Sequence, residues 1–408
     1  MKLNDLCELI VDCEHKTAPI QEEGYPSIRT PNIGRGYFLL NGVNRVSPEI
    51  YAEWTKRAVP QAGDLILARE APVGNVAVIP EGHQYCLGQR TVLIRPIAEK
   101  IYPDYLCYLL LTPELQGQLL GKATGATVHH LNMKDIRALS IPNLPSLQAQ
   151  KQAASVIKAY DDLIATNQRR ITLLEDAARR LYCEWFVQLR FPGHESAAVL
   201  EKIPEGWIKA PLGTQLKTSS GGTPSRKRPD FYGAGIPWVK TKELNDGFIF
   251  DTEEEITQTG LENSSAKIFS AGTVLLAMYG ATIGMTALLA HPAATNQACC
   301  AFLVAEKKGL NYYCFQWLKE IKQKLISLGM GAAQPNLSQE VIKKIEFLMP
   351  SESVLDDYET AVAPLFEQIS SLTQLNVKLA QARDRLLPKL MSGQLDVSAI
   401  ALPDEVAA

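Results

Sequence analysis

The chain is written twice. Moving the sequence along itself by about 205 to 209 residues sets AGDLILAREAPVGNVAVIP (Ala62 to Pro80) over AGTVLLAMYGATIGMTALL (Ala271 to Leu289). The same shift sets PSIRTPNI (Pro26 to Ile33) over PWVKTKEL (Pro237 to Leu244), and GATVHHLN (Gly125 to Asn132) over GAAQPNLS (Gly331 to Ser338). Each copy is too long for a solenoid repeat, so each predicts a domain with its own core. Within a copy, about 145 residues of short β-rich runs (DLILA, VAVIP, TVLIRP, TVLLAMY) broken by Gly, Pro and Asn precede a charged helix of about forty residues. The expected class is α+β with an internal pseudo-twofold repeat: a mixed α/β domain over 1–146, a helix over 147–187 and a linker over 188–206. A second α/β domain over 207–352, a second helix over 353–392 and a tail over 393–408 complete the chain.

Composition narrows the class. With 408 residues, 46% hydrophobic and 21% charged, the chain reads as an ordinary globular protein. Its start, MKLNDLCELIVD, shows no export-signal pattern, and its eight cysteines form no CxxC pair, so a reducing cytoplasm and no structural metal are expected. Ala271 to Ala290 carries no charge over twenty residues and imitates a membrane span. Its counterpart carries Asp64, Arg69 and Glu70, so both stretches predict two buried strands around a turn. Net charge is −3, yet Lys209 to Lys242 holds seven basic residues against Asp230 alone, a local +6 that suits phosphate binding. A solvated loop is the competing explanation of that run.

The helices repeat in heptads. One seam runs through Ile157, Tyr160, Ile164, Asn167, Ile171, Leu174, Ala178, Leu181 and Trp185. The other runs through Val362, Leu365, Ile369, Leu372, Asn376, Leu379, Arg383, Leu386 and Leu390. A parallel, same-register pair would set both asparagines against aliphatic partners, which is costly for a buried amide. Running antiparallel with Asn167 opposite Asn376, every apolar layer meets an apolar layer, and Tyr160 opposite Arg383 can stack. An antiparallel intramolecular coiled coil is therefore expected; the alternative is that each helix lies on its own domain. About thirty residues of seam would span roughly 45 Å, a ruler on the scale of one turn or more of B-DNA.

Motifs for chemistry are missing. GGTPSRK (Gly221 to Lys227) lacks the spacing of a phosphate-binding loop, and the chain has no Pro-Pro of an amino-methyltransferase and no GxGxxG. The Pro-Asp pairs at 103, 229 and 403 lack the acid and lysine of a nuclease, and His129 with His130 lack metal-ligand partners. The expected chain binds rather than reacts, with no catalytic residue and no cofactor of its own.

In order, PEGW (Pro204 to Trp207), SGGTPSR (Ser220 to Arg226), AGTVLLAMYGATIG (Ala271 to Gly284), NQAC (Asn296 to Cys299) with GQRT (Gly88 to Thr91), and RDRLLPKLMSGQLDV (Arg383 to Val397) resemble the specificity (S) subunit of type I restriction-modification systems. The resemblance spans the whole chain, although DCEHKTAP (Asp12 to Pro19) departs from the GGTP opening of the second copy. It implies two target-recognition domains on double-stranded DNA, each taking half of a bipartite asymmetric site. It also implies helices that set the spacing and dock two methyltransferase (M) subunits, with restriction (R) subunits in the full complex. S-adenosylmethionine, ATP and magnesium would then belong to those partners.

Candidate DNA contacts follow from side-chain chemistry. Arg and Lys suit guanine edges or phosphates, and Asn or Gln suit adenine. In the first domain these are Lys16, Arg29, Arg35, Arg69, Arg90, Lys122, His129 and His130. In the second they are Arg226, Lys227, Lys240, Lys242, Tyr279, Gln297, Gln334 and Asn336. Alignment sets Arg69 against Tyr279, Arg90 against Ala298 and His130 against Asn336, which predicts two dissimilar half-sites. The competing reading is a coiled-coil scaffold with two peptide-binding heads.

Overall fold

The computed structural model describes residues 1–14, 16–123, 130–196, 199–200, 203–305, 307–329, 336–395 and 397. The chain forms two compact units. One is Met1–Thr166 with Val377 onward; the other is Asn167–Asn376. Each unit therefore takes part of both long helices, Leu147–Tyr182 and Glu352–Met391.

The first unit is built on an antiparallel sheet ordered Cys7–Asp12, Thr91–Pro96, Leu65–Ala68, Val76–Val78. Its Leu65–Ala68 strand is buried along its whole length, as expected where both faces are covered. The helix Pro103–Leu110 covers one face, and Thr112 caps a second helix, Pro113–Lys122, whose proline at the first position suits a start. A three-stranded sheet ordered Arg45–Val46, Tyr25–Ile28, Cys86–Leu87 lies beside it in the chain's topology, with Ser27 paired in parallel to Cys86.

The second unit repeats this plan and adds to it. Its main sheet runs Thr218–Ser220, Cys299–Phe302, Val274–Ala277, Thr286–Leu289, Gly247–Ile249, the last strand pairing in parallel at the edge. The uncharged stretch is thus two buried strands, Val274–Ala277 and Thr286–Leu289, around a single turn of 3-10 helix at Gly280–Thr282. The glycines in the turns of PVGN and GATIG, Gly74 and Gly284, have φ of +87° and +83°, a region that disfavours side chains. No described helix is long and apolar enough to cross a membrane.

Within each unit the two long helices pack against each other in opposite directions. In the first, Ile157 shares a core with Leu386, Leu387 and Leu390. In the second, Ile171 and Leu174 pack with Ile369 and Leu372, and Ala178 with Val362 and Phe366. Asn167, 2% exposed, donates from Nδ2 to Asn376 Oδ1 at 2.9 Å. The expected stacking of Tyr160 on Arg383 gives way to an ion pair one residue along: Arg383 Nη1 meets Asp161 Oδ1 at 2.7 Å, and Tyr108 donates to the other oxygen at 2.9 Å. A half-buried carboxylate offers a guanidinium more than a phenol ring does. At the matching place in the second unit, Phe366 stacks on Tyr312 at 4.5 Å and meets Phe248 of the added strand.

Candidate nucleic-acid interface

Strand register brings the first head's candidates together. Asp12 lies opposite Val92 and Ala68 opposite Thr91, so three strand ends align and deliver Asp12, Arg90, Arg69 and Glu70 to one end of the sheet. Arg69 is 6% exposed and fully engaged: Nε donates to Leu131 O at 2.9 Å, Nη2 meets His130 Nε2 at 2.8 Å and Nη1 faces Asp12 at 3.7 Å. It is a buried strut, because contact with a phosphate would cost two hydrogen bonds and an ion pair. His130 in turn meets Glu70 Oε1 through Nδ1 at 3.1 Å, and Glu70 Oε2 holds Arg90 Nε at 2.9 Å. Arg90 is left-handed, φ +67°, with its N–H on Cys13 Sγ at 3.1 Å. Burial pushes the Cys13 thiol up, so it stays neutral at this contact.

Arg29 is exposed beside this cluster, since Gly88 N–H bonds to Ile28 O. Lys16 is exposed three residues beyond Cys13. Arg35 instead anchors on a helix end, donating to Leu111 O at 2.9 Å, and Lys122 is half-buried in the last turn of Pro113–Lys122. His129 lies outside the described residues.

The second head forms the same edge from different side chains. Leu131 N–H bonds to Arg69 O and Leu337 N–H to Met278 O; Arg69 N–H bonds to Arg90 O and Met278 N–H to Ala298 O. The structural counterpart of Arg69 is therefore Met278, and Tyr279 stands where the first head has Glu70, which corrects the alignment of Arg69 with Tyr279 by one residue. Met278 is buried like Arg69, whereas Tyr279 is exposed and bridges to Asn336, the counterpart of His130. Gln297 is exposed and accepts from Thr223 Oγ1 at 2.5 Å. Gln334 lies outside the described residues.

Much of the basic run of this head is paired in place. Arg226 Nη1 pairs with Glu254 at 2.7 Å and its guanidinium lies 4.2 Å over Tyr232; Lys240 pairs with Glu254 at 2.8 Å, and Lys242 with Glu253. Arg226 and Lys240 hold the Glu254 carboxyl down at about 2. Lys227 is exposed and has no ion pair among the described residues. The two glycines of SGGTPSR are dictated by close approach: a side chain at Gly221 would strike Thr295 O, one at Gly222 would strike Ser265, and Trp238 donates to Gly222 O at 3.1 Å. The partners Asp12, Glu70, Thr223 and Glu254 carry no signal in the local sequence, because strand pairing and loop packing, not spacing, bring them to the basic and amide side chains. Glu70, adjacent to Arg69 and matched to an aromatic, is the one the duplication could have marked.

A family model described as "Type I restriction modification DNA specificity domain" matches residues 1–176 and 204–357. The chain belongs to this family. The type I restriction enzyme MjaIX specificity subunit of Methanocaldococcus jannaschii is 25% identical over 370 residues, covering 88% of this chain and 84% of the relative. The HindI specificity subunit of Haemophilus influenzae is 22% identical, covering 83% and 88%. A crystal structure of a type I restriction-modification S subunit from M. genitalium shares the fold with a TM-score of 0.63 at 15% identity, over 96% of this chain and 95% of that one. Recognition of DNA is thus the function of this specificity chain, and the two strand-end clusters are its candidate contact surfaces.

Proposed function

We propose that each head of this specificity chain reads one half of a bipartite, asymmetric DNA site, and that the paired helices set the half-site separation. The chain performs no chemistry itself. Two methyltransferase subunits dock on it and methylate adenine with S-adenosylmethionine, and restriction subunits supply ATP- and magnesium-dependent cleavage. The observation that carries this reading is one framework with two different edges: Arg69, Glu70, Arg90 and His130 in one head, Met278, Tyr279, Ala298 and Asn336 in the other. Identical edges would suit a palindrome; these suit unlike half-sites. Eight unpaired thiols suit a reducing cytoplasm. Methylome mapping of a strain with and without the chain is the test. Loss of one split adenine-methylation motif is expected, and an unchanged methylome in an active strain overturns the proposal.

A further inference from the structure

We infer that Arg90 reads a guanine in the first half-site and that Glu70 is its positioning residue; this rests on the DNA-reading role proposed above. The argument starts at the backbone. Both polar groups of Arg90 are pinned, its N–H by Cys13 Sγ at 3.1 Å and its C=O by Arg69 N–H at 2.9 Å, so the side chain leaves the sheet from a fixed point. Its left-handed conformation, φ +67°, is unfavourable for an arginine and is held by those two bonds.

The guanidinium is then aimed. Glu70 forms an ion pair with it, Oε2 lying 2.9 Å from Nε, and Glu70 is itself held by His130 at 3.1 Å, which Arg69 steadies at 2.8 Å. Pairing at Nε leaves the two terminal nitrogens, with no partner among the described residues, on a side chain that is 61% exposed. A pair of N–H groups in that fork matches O6 and N7 of guanine in the major groove. Two other paired arginines are spent differently. Arg95 gives both Nε and Nη2 to Asp64, and Arg226 gives Nη1 to Glu254.

Base reading is favoured over phosphate binding by charge. Glu70 nearly cancels Arg90 and would itself repel a phosphate, while the directional hydrogen bonds of the fork remain. The second head carries Ala298 and Tyr279 at these two positions, so this guanine contact belongs to the first head alone.

The test uses the full chain in complex with its modification subunits and a duplex library randomised across both half-sites, sequenced after retention. Three proteins are compared: the natural chain, Arg90→Lys and Glu70→Gln. Lysine keeps the charge and loses the fork; glutamine keeps the shape and loses the charge of the ion pair. Both variants are expected to relax one guanine of the first half-site, about ten- to hundredfold in relative affinity, and to leave the second half-site unchanged. If both retain that guanine, or if only Arg90→Lys relaxes it, or if either weakens every position alike, the inference is overturned. If the natural chain enriches no sequence, the DNA-reading role itself falls.

Discussion

At the residue scale, like charges in the sequence have unlike fates. Arg69 and Arg90 are both basic candidates, yet one is a buried strut and the other an exposed, aimed fork. Only the register of three strand ends separates them, and no local pattern encodes that. The same holds for Arg226, whose partner Glu254 lies 28 residues on, beyond the basic run that drew attention. Glu254 permits a pH test. Its carboxyl is held at about 2 against an ordinary 4.5, so its stabilising pairing is complete above 4.5 and is lost as pH falls toward 2. Because Arg226 also lies 5.3 Å from the Trp238 ring, tryptophan emission should change across that acid window as the pair opens. The Glu254→Gln chain should lack this transition. An identical acid titration in both proteins would show that the pair does not hold Arg226 in place.

Among the elements, the helices were the most legible and their partners less so. A heptad pattern with one asparagine per seam specifies direction and register, because only an antiparallel arrangement lets the amides meet. The seam gave no hint of Asp161, which lies next to it and takes Arg383 together with Tyr108. Strands DLILA and VLLA were equally legible, since buried β runs bounded by Gly are a local signal. The added strand Gly247–Ile249 was not, being three residues fixed by parallel pairing to Thr286–Leu289. The asparagine pair makes a quantitative test. Asn167→Leu removes the donor to Asn376 Oδ1 and sets a methyl-bearing side chain against that amide, which should cost about 1–3 kcal/mol. Asn167→Leu with Asn376→Leu should recover most of that, read as urea midpoints at constant slope. A double variant no more stable than the single would mean that the 2.9 Å contact is not what the seam is built around.

For the whole molecule, duplication announced two heads but not how the chain shares out its helices, because the first unit joins Met1–Thr166 to the chain from Val377 onward whereas the second is the continuous stretch Asn167–Asn376. Total charge misled in a similar way. At −3 overall, the chain exerts no general attraction on DNA, and much of the basic run in the second head is already paired with acids. Salt dependence of binding should therefore report a few unpaired cations rather than the count of basic residues. Each phosphate contact contributes a slope of about −0.9 in log K against log salt. Lys227 is exposed and unpaired among the described residues, so Lys227→Ala should lower the steepness by about 0.9 while leaving the bases selected unchanged. Lys242 must first leave Glu253, so that any phosphate contact it makes exchanges one counter-charge for another. Lys242→Ala should then change the slope by clearly less. The measurement is binding of cognate duplex by the assembled complex between about 50 and 200 mM salt. Equal slope changes for the two lysines would show that the acidic partners do not compete with DNA, and that the simple charge count was the better guide.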